Sequence, residues 1–331
     1  MKSTLLIALA AMLWGVDLLL RPAALSAGWS PAAVVLGEHL LLTAAFAVTL
    51  WRGRGMLAAL TRRQWAALLC VSWGGSALAT WLYTLGFSLD PSHALNVVLL
   101  QKTQPLFALL LAGLVLGERR GPQFWAWGAL AVIGATLLVV YDPGGTYPYA
   151  SLSHYHGIVP TRFVWPSPTD LHAKQALCAL GASALWGAAT VAGRPLARTL
   201  TPSLLAGARF ALAVPVLALL TLAPVQQAHA PTHGVPFALG FLALIVLLPD
   251  LAGMGLYYGG LRGTTASVAT LAELCYPLTS LILGLTVLGA PVGWGQLAGL
   301  AGLIIAVLML ARAPRAVVTP DSAFAAHVAI P

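Results

Sequence analysis

Six polar or charged side chains stand where an apolar chain has no routine use for them. Gln101, Lys102 and Gln104 crowd into Leu99–Arg120, a run otherwise apolar enough to cross a bilayer, and Asn96 precedes them. Asp250 and Glu273 occupy comparable runs later in the chain. A charge at the bilayer centre costs about 2.5–3.5 kcal/mol on insertion scales, so such groups must face protein, water or a ligand. Lys102 can meet a substrate carboxylate or neutralise Glu273. Glu273 can exchange a proton or bind substrate, or serve as a neutral acid hydrogen-bonded between helices. Asp250 has only apolar neighbours in sequence, so Arg209 or Lys102 must partner it, and both acids are candidate proton-coupling groups. The amides of Gln101, Gln104 and Asn96 can read a polar ligand or simply join helices.

Two prolines mark the same places as candidate helix breaks. Pro105 has no N–H for the carbonyl of Gln101, and Pro277 has none for the carbonyl of Glu273. Each freed carbonyl needs a substitute donor or a cavity beside it. Short motifs recur around these spans. Leu13-Trp14-Gly15 returns as Leu185-Trp186-Gly187, and Leu82-Tyr83 with Gly86 returns as Leu256-Tyr257 with Gly260. Trp14, Trp186, Tyr83 and Tyr257 are therefore candidates to line a cavity, with helix packing as the alternative. Paired, proline-interrupted, polar-centred spans point to a transporter's binding site.

The elements that must position these residues are membrane helices. Of 331 residues, 59% are hydrophobic and 8% charged, with a mean hydropathy of +0.87. Soluble domains carry about 25% charged residues. The formal net charge of +8 is spread over short loops between apolar runs, which is a topology signal rather than a nucleic-acid surface. Cys70, Cys178 and Cys275 lack metal-ligand spacing and read as free thiols. His154, His156 and His172 have no accompanying acid or cysteine cluster, so no metal site and no cofactor is expected. No phosphate-binding loop of the Walker type is present, and no nucleophile and base stand at a recognisable spacing. A cleavable leader is considered for the first run, with Lys2 and Ala8-Leu9-Ala10. The apolar run passes that point, and its Leu-Trp-Gly recurs mid-chain, which argues for a span.

Ten spans are predicted: Ser3–Leu20, Ala33–Trp51, Trp65–Leu89, Ser92–Leu116, Pro122–Tyr141, Lys174–Pro195, Ser203–Leu222, Pro236–Leu261, Thr264–Leu288 and Gly293–Ala311. They divide the chain into a first five-helix repeat at 1–141, a polar outer loop at 142–172, a second repeat at 173–311 and a flexible tail at 312–331. An odd number of spans per half makes the halves inverted. Lysine and arginine concentrate on the side holding Arg62, Arg63, Arg119, Arg120 and Arg315, so both termini are expected in the cytoplasm. Asp17 and Arg21 have the spacing of a helical ion pair, with a gate contact as the alternative. Glu38 and His39 are expected near the hydrated outer surface.

These residues carry a family likeness. Two five-span halves, the Leu-Trp-Gly of spans 1 and 6, and Pro105 leading to Leu116-Gly117-Glu118 resemble EamA-like members of the drug/metabolite transporter superfamily. Where that pattern commonly has Gly-Glu after span 9, this chain has Gly289-Ala290. The resemblance implies an all-α integral membrane protein of ten helices. It implies alternating-access transport of a small, amino-acid-like metabolite, usually outward, without enzymatic activity. The expected partners are a small-molecule substrate, the bilayer of the cell membrane, protons as a coupling ion and, in assembly, a second copy as a homodimer, with no nucleic acid. The rival reading is a membrane-embedded enzyme or receptor-like module built on the histidine-bearing outer loop.

Overall fold

The computed structural model describes residues 2–90, 94–104, 106–108, 110–111, 122–140, 158–159, 171–197, 199–222, 231–261, 272–273, 275–290 and 292–312. Pro105, Leu116-Gly117-Glu118, most of the 142–170 loop and the tail after Arg312 lie outside them. Helices dominate. α1 (Lys2–Gly15) and α2 (Asp17–Leu25) are followed by α3 (Pro31–Ala45) and α4 (Ala47–Ala58). A composite helix comprises α5 (Arg62–Leu69), a π-helical segment π1 (Cys70–Leu78) and α6 (Ala79–Leu89). Then come α7 (Ala94–Leu100) with a 3-10 turn (Gln101–Thr103), α8 (Pro122–Val140), α9 (Leu171–Leu196) and α10 (Pro202–Thr221). A second composite helix comprises α11 (Val235–Ile245), π2 (Val246–Gly253) and α12 (Met254–Leu261). α13 (Cys275–Thr286) and α14 (Trp294–Arg312) complete the bundle.

Among the described residues, five helical stretches are long and apolar enough to cross a membrane: Lys2–Leu25, Arg62–Leu89, Leu171–Gly193, Pro202–Thr221 and Val235–Tyr257. α3 and α4 make a sixth if counted together, but they meet at 78°. The single straight span predicted for Ala33–Trp51 therefore breaks at Phe46. Its ring stacks on Phe210 at 6.3 Å between centroids. A Cβ on Gly207 would stand 2.8 Å from Phe46 Cβ, so α10 presses directly on the bend. The first span also runs further than predicted, through Leu25, which brings Arg21 inside it.

Local sequence explains several boundaries. Ser30 and Thr201 cap α3 and α10 by accepting from the N–H three residues on, each with proline opening the helix. Thr61 and Gln64 form a capping box at the start of α5. After α13 the chain turns through Gly289 at φ 61°, a left-handed position that favours glycine. Helices α8 and α14 touch backbone to backbone, since a Cβ on Gly134 would lie 2.7 Å from the carbonyl oxygen of Gly299.

The chain is not purely helical. Ile158–Val159 pairs in parallel with Val292–Gly293, which pins part of the predicted outer loop to the start of α14. Thr232 and His233 donate their N–H groups to the Ser26 carbonyl at 2.8 and 3.1 Å, joining the end of α2 to the approach to α11. Gln64 Nε2 donates to Thr199 Oγ1 at 3.1 Å, joining the start of α5 to the end of α9.

Candidate functional site

The repeated motifs build the walls of one cavity of about 550 Å³. In each Leu-Trp-Gly the glycine lets a neighbouring helix close in while the tryptophan turns inward. A Cβ on Gly15 would meet the Tyr276 carbonyl oxygen at 2.9 Å, and one on Gly187 would meet Ala108 N at 2.8 Å. Trp14 then packs against Tyr257 with ring centroids 5.2 Å apart, and Trp186 against Tyr83 at 5.3 Å. Each tryptophan thus pairs with the tyrosine of the other copy of the Leu-Tyr motif, and all four rings line the cavity. Trp14 Nε1 also donates to the Pro249 carbonyl at 3.0 Å, inside π2. A π-helical turn leaves carbonyls off the α ladder and recurs at functional sites.

Gln101, Lys102, Gln104, Tyr276 and Glu273 are among the polar residues that line the cavity. Lys102 Nζ sits 3.7 Å from the centroid of the Tyr276 ring. The Tyr276 hydroxyl in turn shares a 3.0 Å hydrogen bond with that of Tyr83. Glu273 Oε1 accepts from the Tyr257 hydroxyl at 2.8 Å. The ion pairs among the described residues join Arg21, Asp17, Glu38 and His39, and neither Lys102 nor Glu273 belongs to them. Two opposite charges therefore share a cavity while each rests on a phenol ring or hydroxyl.

The backbone around the prolines is satisfied locally. The Gln101 carbonyl accepts from the Gln104 N–H in the 3-10 turn and from Ser183 Oγ at 3.3 Å. This replaces the bond that Pro105 cannot make. Pro277 stands in the first turn of α13, where a missing N–H does no harm. The Glu273 carbonyl, expected to stay open, accepts from Tyr276 N at 3.1 Å.

The cavity also holds a buried ionic cluster, which contains the expected Asp17–Arg21 ion pair but adds Glu38 and His39 to it. Arg21 is 4% exposed, Asp17 6%, Glu38 3% and His39 1%. Arg21 donates to Asp17 at 2.8 Å, Glu38 at 3.0 Å and Thr84 Oγ1 at 2.9 Å, tying α2, α3 and α6 together. Glu38 and His39 are thus interior cavity residues rather than hydrated surface groups, because α2 extends past Arg21 and packs beside them. Asp250 lines the cavity from π2, and among the described residues its Oδ2 is buried without a hydrogen-bond partner. Arg209 faces the same space and donates to Ser76 Oγ in π1 at 2.6 Å.

Of the residues expected to bind substrate, Gln101, Lys102, Gln104, Trp14, Trp186, Tyr83 and Tyr257 line the cavity, as do Asp250 and Glu273. Asn96 is not among the lining residues. Its side-chain oxygen accepts from Gln296 Nε2 at 2.9 Å, so the amide joins α7 to α14. Tyr276, Arg21, Arg209 and Glu38 are lining residues that the sequence did not mark as binding groups.

Comparisons with known proteins agree with this architecture. The profile of the EamA-like transporter family matches residues 1–140 and again 173–312. The riboflavin transporter ImpX of Fusobacterium nucleatum subsp. nucleatum is 28% identical over 321 residues, covering 94% of this chain and 98% of its own. The uncharacterized transporter YwfM of Bacillus subtilis is 25% identical over 230 residues, covering 70% of this chain and 68% of its own. A crystal structure at 22% identity superposes with a TM-score of 0.57, covering 93% of this chain and 96% of the other, a likeness of fold. With apolar helices crossing the bilayer several times around a polar cavity, and with most of its length matched, the chain belongs to the EamA-like transporter family of the drug/metabolite transporter superfamily.

Proposed function

We propose that the protein is a secondary transporter that carries a small polar metabolite with a flat ring across the cell membrane by alternating access. The observation that carries this reading is the presence of Lys102 and Glu273 in one aromatic-walled cavity, each in contact with a tyrosine and not joined in an ion pair among the described residues. A basic and an acidic group left facing a ligand suit a molecule with hydrogen-bond donors and acceptors at separate points. The cavity size lies within the roughly 300–1,000 Å³ usual for small-molecule sites. Tyr83, Trp186, Trp14 and Tyr257 favour a planar heteroaromatic substrate over a small aliphatic amino acid, since aromatic rings attract one another edge to face or offset-stacked. The Fusobacterium relative is named for riboflavin, which places that vitamin first among compounds to try.

In this reading the chain forms ten spans in two inverted five-helix halves, residues 1–141 and 173–311, with both termini cytoplasmic. The two family matches support that division. So do the contacts Ser26 to Thr232 and Gln64 to Thr199, which join loops that alternating spans would put on a common side. Proton coupling through Glu273 or Asp250, with outward net movement, completes the proposal. Purified protein in liposomes tests it. Saturable uptake of labelled riboflavin, stimulated by a pH gradient and reduced in Lys102→Ala, is expected, with alanine as the aliphatic comparison. Transport of neither compound above protein-free liposomes would overturn the reading as stated. Saturable transport of alanine alone would return the substrate to the amino-acid class.

A further inference from the structure

Among the described residues, four carboxyl side chains line the cavity, Asp17, Glu38, Asp250 and Glu273, with three basic ones, Arg21, Lys102 and Arg209. A carboxylate kept from water with no donor is costly in its charged form, and a proton removes that cost. Three of the acids already have donors. Asp17 and Glu38 share Arg21, and Glu273 has the Tyr257 hydroxyl. Asp250 makes no ion pair among the described residues, and its Oδ2, like Asp17 Oδ1, is buried there without a hydrogen-bond partner.

The groups around Asp250 come from every side. Asp17 and Arg21 approach from α2, Glu38 and His39 from α3, and Arg209 from α10, all lining the same space. Glu38, Arg21, Asp17 and Arg209 are the charges that act on it. His39 is a poor home for an extra proton. Its Nδ1 already donates to the Val35 carbonyl at 2.9 Å, and Nε2 is buried without a partner. Protonating Nε2 would create a buried N–H with no acceptor.

We propose that Asp250 holds a proton in the resting protein, making it a proton-binding group separate from Lys102 and Glu273. Protonation turns an undonated buried anion into a neutral carboxylic acid, which costs far less in that position, whereas protonating His39 would add a buried cation. Opening of the cavity to water would let the proton leave and return. This use of the site rests on the transporter reading above, whereas its occupancy is a property of the resting protein.

Infrared spectroscopy on the purified full-length chain at neutral pH separates the two. A carbonyl band of a protonated carboxylic acid is expected, moved by carboxyl-¹³C aspartate labelling and unmoved by the corresponding glutamate labelling. Asp250→Asn should abolish the band and Glu273→Gln should leave it. The labelling needs no variant, so misfolding of Asp250→Asn would not blunt the test. A band that follows the glutamate label, or no band at all, overturns the assignment. In liposomes, stimulation of riboflavin uptake by a pH gradient should vanish in Asp250→Asn; stimulation that persists unchanged in that variant also overturns the assignment. If riboflavin does not move at all, the transporter reading is hit while the infrared result still decides the proton site.

Discussion

Replacing Arg21 by methionine keeps much of the side chain's volume and removes its charge. The guanidinium makes three hydrogen bonds of 2.8–3.0 Å to Asp17, Glu38 and Thr84, and the residue is only 4% exposed. Removing one partner of a buried ionic group strands the others, a loss of about 3–5 kcal/mol, or more than about a hundredfold in the unfolding equilibrium. Arg21→Lys should fall between, since an ammonium cannot present the same fork to three acceptors on three helices. The triple change Arg21→Met, Asp17→Asn, Glu38→Gln should recover most of the loss, because it leaves no unpaired charge. Equilibrium unfolding by SDS in mixed micelles, followed by tryptophan fluorescence, reads the difference directly. A single Arg21→Met variant that unfolds with wild type, or a triple variant no better than the single one, would refute the argument that this cluster holds the three helices together.

Gly134→Ala should destabilise by about 1–3 kcal/mol, because its Cβ meets backbone atoms of Gly299 and Leu303 that cannot yield. Gly240→Ala, with nothing within 4 Å of the new Cβ, should be neutral or slightly stabilising in the same unfolding assay. Lys102→Ala should lose transport yet lower stability by no more than about 2 kcal/mol, the size of a buried cation–π contact, as thermal unfolding would report. Reporter fusions after Arg63, Arg120 and Arg315 should read cytoplasmic and one at His156 outside; a cytoplasmic His156 would defeat the inverted arrangement. Deleting Tyr149–His156 should spare transport, whereas loss of all activity would favour the loop-based rival.

The cavity walls were more legible in the sequence than its depth. Leu-Trp-Gly and Leu-Tyr recur, so Trp14, Trp186, Tyr83 and Tyr257 could be picked out by repetition before any helix was placed. Lys102, Asp250 and Glu273 announced themselves by their cost in lipid. Glu38 and His39 were misjudged because a residue's distance from a predicted span end says nothing about what a neighbouring helix covers. Here that neighbour is α2, whose extra turn past Leu20 a hydropathy window does not resolve. Asn96 shows the opposite limit, since an intramembrane amide looks the same whether it meets a ligand or, as here, Gln296. Tyr276 beside Pro277 belongs to neither repeated motif, and only the fold puts its ring under Lys102. The π-helical segments were invisible for a different reason. Their glycines, Gly74-Gly75 and Gly253-Met254-Gly255, signal close approach, and a π turn has no hydrophobic period of its own.

The crossed aromatic pairs have a consequence for the chain's divisibility. Trp14 leans on Tyr257 and Trp186 on Tyr83, so each pair draws one ring from residues 1–140 and one from 173–312. A fragment ending before the outer loop would own a tryptophan and a tyrosine and be able to close neither wall. Its partner fragment would be incomplete in the same way and would carry the missing rings. The two pieces are thus complementary, like the subunits of a dimer joined by a tether.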